Sequence, residues 1–219
     1  MNKLVLCIFP IDETTDFLHP IYDAISSVSV KFNGVRIDTT NEEEVDKLKK
    51  ELLSLSDNIT IVFLGHGASH CLYGTPTVEK NRLFKKEDLT IIKNKINFIF
   101  SCNSKDLLDN IEALKYIGFG DMPTEFNEIT SERALNDASY LEGIIEQDIN
   151  IYKEVIVDII AKSIKESKFL SLEDLYRNIK LFANISIVDI LTKKNSPNFR
   201  MIADLIYEWK DNMTFKYNK

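Results

Sequence analysis

Three short and nearly continuous apolar runs constrain the fold of this chain more than any other feature of its sequence. They occupy residues 4–9, 59–64 and 96–100. Runs of this length without polar alternation are typical of strands buried on both faces, which occur in parallel sheets covered by helices on each side. The intervening segments leave room for the crossovers that parallel strands need. The sequence therefore predicts an α/β fold with an open, mostly parallel sheet flanked by helices.

Helices and weaker strands are predicted around these runs. Asn41 and Glu44 have the spacing of a capping box, and apolar residues recur on one helical face up to residue 55, which predicts a helix. The other predicted elements of this part are a helix at 12–27, a weaker strand at 28–37 with a bulge or turn at 33–34, a polar and turn-rich stretch at 68–80, a short helix at 86–93, a helix at 105–114 and a strand at 116–119.

The chain after about residue 130 has a different pattern, which is almost wholly helical. Apolar residues from Leu141 to Ile159 recur at alternating steps of four and three, as on one face of a long helix. Ser171 and Ser196 mark further helix starts. We expect residues 1–130 to form an α/β core and residues 131–219 a helical extension packed on it as a single structural unit. The alternative is that the extension offers a dedicated partner surface.

Composition excludes several classes of function. The net charge is −7, with 27 Lys and Arg residues against 34 Asp and Glu residues, so a nucleic-acid partner is not expected. No apolar run approaches the length of a membrane span, and the amino terminus does not resemble a secretion signal, so no membrane is expected either. The 3 cysteines are an odd number in a chain large enough to fold without disulfides, which favours a cytoplasmic location.

Reactive side chains directly follow two of the three apolar runs. His66, between two glycines, follows the run at 59–64, and Cys102 follows the run at 96–100 after a single serine. Neighbouring parallel strands lie about 4.8 Å apart and end at the same edge of a sheet, where ligands and chemistry are usually found. An imidazole and a thiol placed there can face each other across one substrate. This is the geometry of a cysteine nucleophile with a histidine base.

The same region resembles the caspase-like cysteine peptidases, and most of all the bacterial caspase-like domains called CHAT. The resemblance lies in the order of an apolar strand, His-Gly, a spacer, a second apolar strand and a small residue before Cys. In the spacer, Leu-Tyr-Gly at 72–74 is similar to the hairpin of that family and residues 82–89 to its Leu-rich helix. The segment Phe-Ser-Cys-Asn-Ser at 100–104 is similar to the end of its nucleophile strand. The resemblance covers about residues 1–130.

The resemblance implies a function and a set of roles. It implies a cytoplasmic cysteine endopeptidase that cleaves a protein or peptide substrate with a Cys102 thiolate and His66 as base. The backbone N–H groups of Gly67 and Cys102 would form the oxyanion hole, and no metal or organic cofactor is needed. Similar bacterial domains serve in antiviral defence and regulated cell death, so the expected further partner is a regulatory protein or a small-molecule activator.

The resemblance also implies which residues line the substrate pocket. By position in the family pattern these are Asp12, Ser101, Asp121 and Glu125. Asp12 lies in the loop at 10–13, and the other two acids lie in the loop at 120–125. Neither loop contains Lys or Arg. Cleavage after Asp would therefore leave a buried substrate carboxylate without a partner. A basic residue before the cut, paired with Asp12 or Asp121, fits better. The alternative is that these acids are ordinary solvated loop charges.

Two other functions use the same region differently. His66, His70, Cys71 and Cys102 are four candidate zinc ligands, although the glycines beside His66 disfavour the helix that His-x-x-x-His spacing requires. The third hypothesis is a flavodoxin-like domain that only binds a nucleotide or a protein partner. Against it, the sequence has no glycine-rich phosphate loop. A Cys at the end of an apolar strand is often simply part of the core, as is expected for Cys7.

Overall fold

In the computed structural model, a six-stranded sheet lies at the centre of the described residues, which are 4–74, 82–169 and 171–218. Its strands in spatial order are β2 (Lys31–Ile37), β1 (Leu4–Pro10), β3 (Thr60–Leu64), β7 (Ile96–Phe100), β8 (Lys115–Gly118) and β9 (Thr214–Tyr217). Neighbouring strands are parallel except for β9, which is antiparallel to β8. The predicted α/β fold with a mostly parallel sheet is confirmed, and it is consistent with a caspase-like fold.

A second, three-stranded antiparallel sheet follows the end of β3. It consists of β4 (His66–Ala68), β5 (Cys71–Tyr73) and β6 (Arg82–Phe84). The stretch at 68–80 is therefore not simply turn-rich, because a β4–β5 hairpin occupies its first part. Its last residues, 75–80, lie outside the described residues. The small sheet matters for the site because its first residue is His66.

Helices cover both faces of the large sheet. On one face lie α2 (Glu42–Ser54), α3 (Thr90–Lys93) and α4 (Ser104–Asn110), and on the other lie α1 (His19–Val28), α6 (Glu146–Ser167), α7 (Leu172–Lys193) and α8 (Phe199–Asn212), with α5 (Phe126–Leu135) after β8. Each face has its own apolar cluster, because alternate residues of the strands point to opposite sides: Cys7 faces the α6 side and Ile8 the α2 side. The flanking helices are those that the predicted fold class requires.

No helix among residues 4–74, 82–169 and 171–218 is long and apolar enough to cross a membrane.

Four local predictions are corrected by the structure. The first helix begins as a 3₁₀ helix, Glu13–Leu18, before α1. Strand β2 is continuous and has neither a bulge nor a turn at residue 34, since a Cβ on Gly34 would lie 1.9 Å from the Tyr22 hydroxyl and the glycine makes room for that ring. The helices predicted at 86–93 and 105–114 are shorter than expected. They correspond to α3 (Thr90–Lys93) and α4 (Ser104–Asn110).

The carboxyl-terminal part is almost wholly helical, as predicted, but it ends in the short strand β9. Residues of this strand pair with β8, for example Phe215 with Ile117, and extend the sheet by one strand. From Ile149 onward the predicted seam forms the buried face of α6, where Tyr152 and Ile156 pack in the core on this side of the sheet. The first two residues of the seam, Leu141 and Ile145, precede this helix. Apolar residues of the segments before and after residue 130 thus share one continuous core.

Candidate active site

The strand register brings His66 and Cys102 to the same edge of the sheet. In the pairing of β3 with β7, Leu64 lies opposite Phe100, and the Gly65 N–H donates to the Phe100 carbonyl at 3.3 Å. His66 and Cys102 each follow that residue pair by two positions. Both side chains line one cleft of about 490 Å³. Parallel pairing with no register offset is therefore what brings the two groups together.

The His66 imidazole is held by two side chains of the loop after β1. Its Nε2 lies 2.8 Å from Asp12 Oδ2 and 2.7 Å from Thr14 Oγ1. The Thr14 hydroxyl in turn donates to Asp12 Oδ2 at 2.7 Å. The Asp12 side chain is only 6% exposed and that of His66 12%, so water competes little for these bonds. One face of the His66 ring stacks on the Tyr73 ring, with the two ring centroids 5.6 Å apart.

This hydrogen bonding selects one tautomer of His66. A carboxylate accepts hydrogen bonds and does not donate them, so Nε2 carries a proton when it faces Asp12. In neutral imidazole the other nitrogen, Nδ1, is then unprotonated. The ring is oriented with a free lone pair on Nδ1, which is what a general base requires.

The Cys102 thiol is hydrogen-bonded, and its surroundings disfavour the thiolate. Its Sγ donates a hydrogen bond to the Met122 carbonyl at 3.3 Å. Burial, together with the negative charge of Asp121, raises the pKa of the Cys102 thiol to about 12. Nearby backbone groups oppose this rise and Glu128 adds to it. At neutral pH these surroundings favour the neutral thiol over the thiolate.

The residue after Cys102 turns the chain sharply from β7 into α4. Asn103 adopts a left-handed backbone conformation with φ of 54°, which Asn tolerates better than most residues. Its N–H donates to the Gly120 carbonyl at 2.9 Å. This turn leaves the Cys102 side chain at the cleft instead of inside the helix.

Gly67 is required by close packing between β4 and the end of β7. A Cβ at this position would lie 2.4 Å from Ser101 Oγ and 3.0 Å from the Cys102 carbonyl oxygen. The family resemblance gave this glycine a role through its backbone N–H, as part of the oxyanion hole. The structure adds a second reason, which is that the backbone carrying His66 rests directly on the backbone carrying Cys102.

The cleft is acidic. Its walls carry Asp121, Glu128 and Glu132, and none of the described residues that line it is Lys or Arg. Partial desolvation raises the pKa of Glu128, while hydrogen bonds from the Glu125 and Thr124 N–H groups and the nearby His66 act against that rise. A ligand with a positive charge is the natural complement of such a cleft.

The predicted substrate-binding residues are only partly found in the cleft. Asp121 lines it. Asp12 lies behind His66, with its carboxylate taken up by Thr14 and the imidazole. Ser101 is 1% exposed and lies beneath Gly67. Glu125 caps α5 and pairs with Lys153 at 3.4 Å, so neither it nor Ser101 is among the described residues that line the cleft.

Several residues of the site were not found from the sequence. The Asp-x-Thr spacing at 12–14 is a helix-capping signal that could have pointed to Thr14. The others lack a local signal because their positions depend on the hairpin or on α5. They are Tyr73, Glu128, Glu132 and Tyr140.

The four candidate zinc ligands are not brought together. His70 is exposed in the β4–β5 turn, whereas Cys71 is buried on β5. In the part of the chain that the structure describes, no three His, Cys, Asp or Glu side chains converge closely enough to hold a metal ion. The geometry therefore favours the histidine–cysteine pair over a zinc site.

No protein-family model matches the chain, and no curated protein has a matching sequence.

Proposed function

We propose that this chain is a cytoplasmic, caspase-like cysteine endopeptidase that cleaves a protein substrate with Cys102 as nucleophile and His66 as base. The observation that carries the proposal is the meeting of the two side chains in one cleft, with the imidazole oriented by Asp12. All three cysteines are unpaired, which fits a reducing compartment.

The proton path follows from the tautomer of His66. Nδ1 takes the proton from Cys102 Sγ as the sulfur attacks the substrate carbonyl carbon, and the resulting imidazolium is stabilised by Asp12. The imidazolium returns that proton to the leaving amine nitrogen as the peptide bond breaks and a thioester forms. A water molecule then attacks the thioester, with His66 again accepting the proton. The thiol and the free imidazole are regenerated.

The acidic cleft supports a preference for a basic residue at the cut. Asp121 and Glu128 raise the pKa of Cys102. A bound Lys or Arg side chain neutralises part of that negative potential, which lowers the thiol pKa and favours thiolate formation. The enzyme would be activated by the substrate it prefers. This accounts for a resting thiol without requiring a defective site.

A role in antiviral defence or regulated cell death agrees with a nucleophile that is silent at rest. In such a role a regulatory protein or a small-molecule activator would release the activity. The acidic surroundings of Cys102 keep the rate of cleavage low until both the activating signal and a suitable substrate are present.

The test is cleavage of peptide libraries that differ only in the residue before the cut. We expect hydrolysis after Arg and Lys and none after Asp. Cys102→Ala and His66→Ala should each reduce it by at least about 10³-fold, while Cys71→Ser, a buried cysteine outside the cleft, should retain activity.

A peptidyl acyloxymethyl ketone with Arg at the reacting end gives a second readout. It should alkylate Cys102 and leave Cys7 and Cys71 unmodified. Equal or no labelling of the three cysteines, together with no hydrolysis in the library, would refute a peptidase and favour the partner-binding hypothesis.

A further inference from the structure

Asn103, the residue after the candidate nucleophile, lines the same cleft as His66 and Cys102 and is half-buried there. Its backbone N–H is already used, since it donates to the Gly120 carbonyl at 2.9 Å. The side-chain amide is therefore the group through which Asn103 can donate a hydrogen bond to a ligand in the cleft.

The amide of Asn103 does not help to hold the fold together. Asn103 directly precedes α4, a position from which an Asn side chain usually accepts hydrogen bonds from the first backbone N–H groups of a helix. Asn41 does this before α2, where its Oδ1 accepts from the Glu43 and Glu44 N–H groups. The Asn103 side chain makes no such bond, and none of the other described residues forms a hydrogen bond with it.

The left-handed turn at Asn103 does not require an amide either. Glycine adopts a φ near the observed 54° without steric cost, whereas Asn only tolerates it. The turn by itself would thus be served at least as well by Gly. A free amide at a sterically costly position beside the thiol indicates that the amide has a task in the cleft.

Attack of Cys102 on a peptide creates a negative charge in unfavourable surroundings. The proposed reaction forms the Sγ–C bond and moves the carbonyl π electrons onto oxygen, while His66 takes the thiol proton. Asp121 and Glu128 line the same cleft, and their charges repel the developing oxyanion. Neither Lys nor Arg is among the described lining residues, so hydrogen-bond donors have to stabilise that oxygen.

Asn103 is well placed to be one of these donors. Among the described lining residues it alone has a side-chain amide N–H. A Cβ on Gly67 would lie 3.0 Å from the Cys102 carbonyl oxygen, so the Gly67 backbone contacts the peptide unit that joins Cys102 to Asn103. The three residues therefore border the same small part of the cleft, where the family resemblance places the oxyanion hole.

We propose that Asn103 is a catalytic residue whose side-chain amide donates a hydrogen bond to the oxyanion of the tetrahedral intermediate, beside the N–H groups of Gly67 and Cys102. This inference rests on the proposed function. When the intermediate collapses, the electron pair on oxygen forms the C=O bond again, the C–N bond breaks, and the His66 imidazolium gives its proton to the leaving amine. The amide exchanges neither protons nor electrons and acts only by stabilising the charged oxygen.

Asn103→Gly tests this role, because it removes the amide and keeps the backbone conformation. We expect kcat for a peptide with Arg before the cut to fall by about 10²- to 10³-fold with KM little changed, as when one donor is removed from an oxyanion hole. Asn103→Asp keeps the shape but replaces the donor with a negative charge, so it should lose at least as much. The urea midpoint of Asn103→Gly should equal that of the wild type, because the amide bonds to no other described group.

Asn103→Ala is the matched variant that separates the amide from the turn. Alanine lacks the amide and is strained at this φ, so the variant should unfold at a lower urea concentration than Asn103→Gly but cleave equally slowly. Full activity in Asn103→Gly with a loss in Asn103→Ala would mean that the residue serves only the turn, which overturns the proposal. A loss confined to KM overturns it as well, since the amide would then bind substrate and transition state equally.

Two reagents distinguish failure of this inference from failure of the proposed function. A peptide aldehyde with Arg at the reacting end adds to Cys102 as a hemithioacetal, whose oxygen takes the position of the oxyanion. Asn103→Gly should bind it at least tenfold more weakly than the wild type, whereas iodoacetamide, which forms no oxyanion, should alkylate both at the same rate. Equal binding of the aldehyde overturns the role of Asn103 alone. A wild type that neither binds the aldehyde nor cleaves peptides overturns the proposed function and this inference with it.

Discussion

His66 and Cys102 differ in how far the fold has prepared them for reaction. The imidazole is fully oriented, with Asp12 and Thr14 on Nε2 and Tyr73 against its ring. The thiol is held in its neutral form by burial and by neighbouring carboxylates. In the proposed mechanism the imidazole is already oriented as a base while the thiol is still neutral, so the groups around the sulfur control the onset of reactivity.

Replacing Asp12 tests the orientation of the base. Asp12→Asn keeps the shape but presents an amide that can donate to Nε2, which moves the imidazole proton to Nδ1 and removes its ability to accept the thiol proton. We expect kcat/KM for a basic peptide to fall by about 10²- to 10⁴-fold, with KM little changed. Thr14→Val, which removes the other hydrogen-bond partner of Nε2, should reduce kcat/KM roughly tenfold with KM little changed.

The matched control is Asp16→Asn. Asp16 lies on the 3₁₀ helix that Asp12 caps, is half-exposed and pairs with Arg36 and His19, not with His66. It should retain full activity. If Asp12→Asn were as active as this control while remaining folded in urea titrations, Asp12 would have no part in orienting His66.

Replacing Asp121 tests the electrostatic control of the thiol. The pKa of Cys102 is about 12, so at neutral pH its thiolate fraction rises about tenfold per pH unit. Asp121→Asn removes a negative charge, lowers that pKa and should increase the rate of alkylation by the uncharged reagent iodoacetamide about threefold to tenfold. The whole rate profile moves to lower pH.

Asp46→Asn, at an exposed position on α2, makes the same change in net charge and should leave the alkylation rate unchanged. A rate that responds equally to both substitutions would mean that overall charge, and not the local field of Asp121, sets the reactivity of Cys102.

At the scale of elements, the edge of the sheet depends on close contacts between backbones. A Cβ on Gly118 of β8 would lie 2.7 Å from the Lys105 Cα and 2.8 Å from its backbone nitrogen. Ser104 at the start of α4 joins the two elements, since its hydroxyl donates to the Ile99 carbonyl and accepts from the Phe119 N–H, both at 2.8 Å. The helix that follows Cys102 is thereby fixed to β8.

Gly118→Ala should separate α4 from β8. We expect the free energy of unfolding to fall by about 1–3 kcal/mol, because only a backbone shift can relieve the contact, and Cys102 labelling to change because its turn moves. Urea denaturation measures the first effect. Gly34→Ala is the comparison, since there the new methyl group meets the end of the Tyr22 side chain, which can rotate away. An equal or larger loss for Gly34→Ala would contradict this account.

Predictions of helices and strands were right where the signal lay in neighbouring residues of the sequence. They were wrong where the structure of a segment depends on packing or pairing with another element. Helix α2 begins after Asn41 as predicted, because its side chain accepts from the Glu43 and Glu44 N–H groups. Strand β2 has a glycine that reads as a turn, but Tyr22 fills the space and β1 supplies the pairing. Strand β9 has no strong strand signal, and forms because β8 offers it a free edge.

At the scale of the whole molecule, the helices after residue 130 complete the core of the sheet. One face of β1, β3 and β7 contributes residues such as Phe9, Leu64 and Phe100. These pack in the same cluster as Ile156 of α6 and Trp209 of α8. The division at residue 130 is thus a change of pattern along the chain and not a gap in the core.

A fragment of residues 1–130 should not fold alone, because an apolar sheet face would be left in water and β8 would lose its outer partner. We expect strong binding of a hydrophobic dye and no cooperative unfolding transition. Adding residues 131–219 as a separate chain should restore the transition. A cooperatively folded fragment without dye binding would mean that the core is divided after all.

The sequence alone determined the fold class and the two reactive side chains, because apolar runs and their end residues are local properties of the chain. It could not determine that Asp12 supports His66, that Ser101 lies under Gly67 or that Glu128 and Glu132 line the same cleft as Cys102. Those relations join residues far apart in the chain. Only strand register, the turn at Asn103 and the packing of later elements bring them within reach of one another.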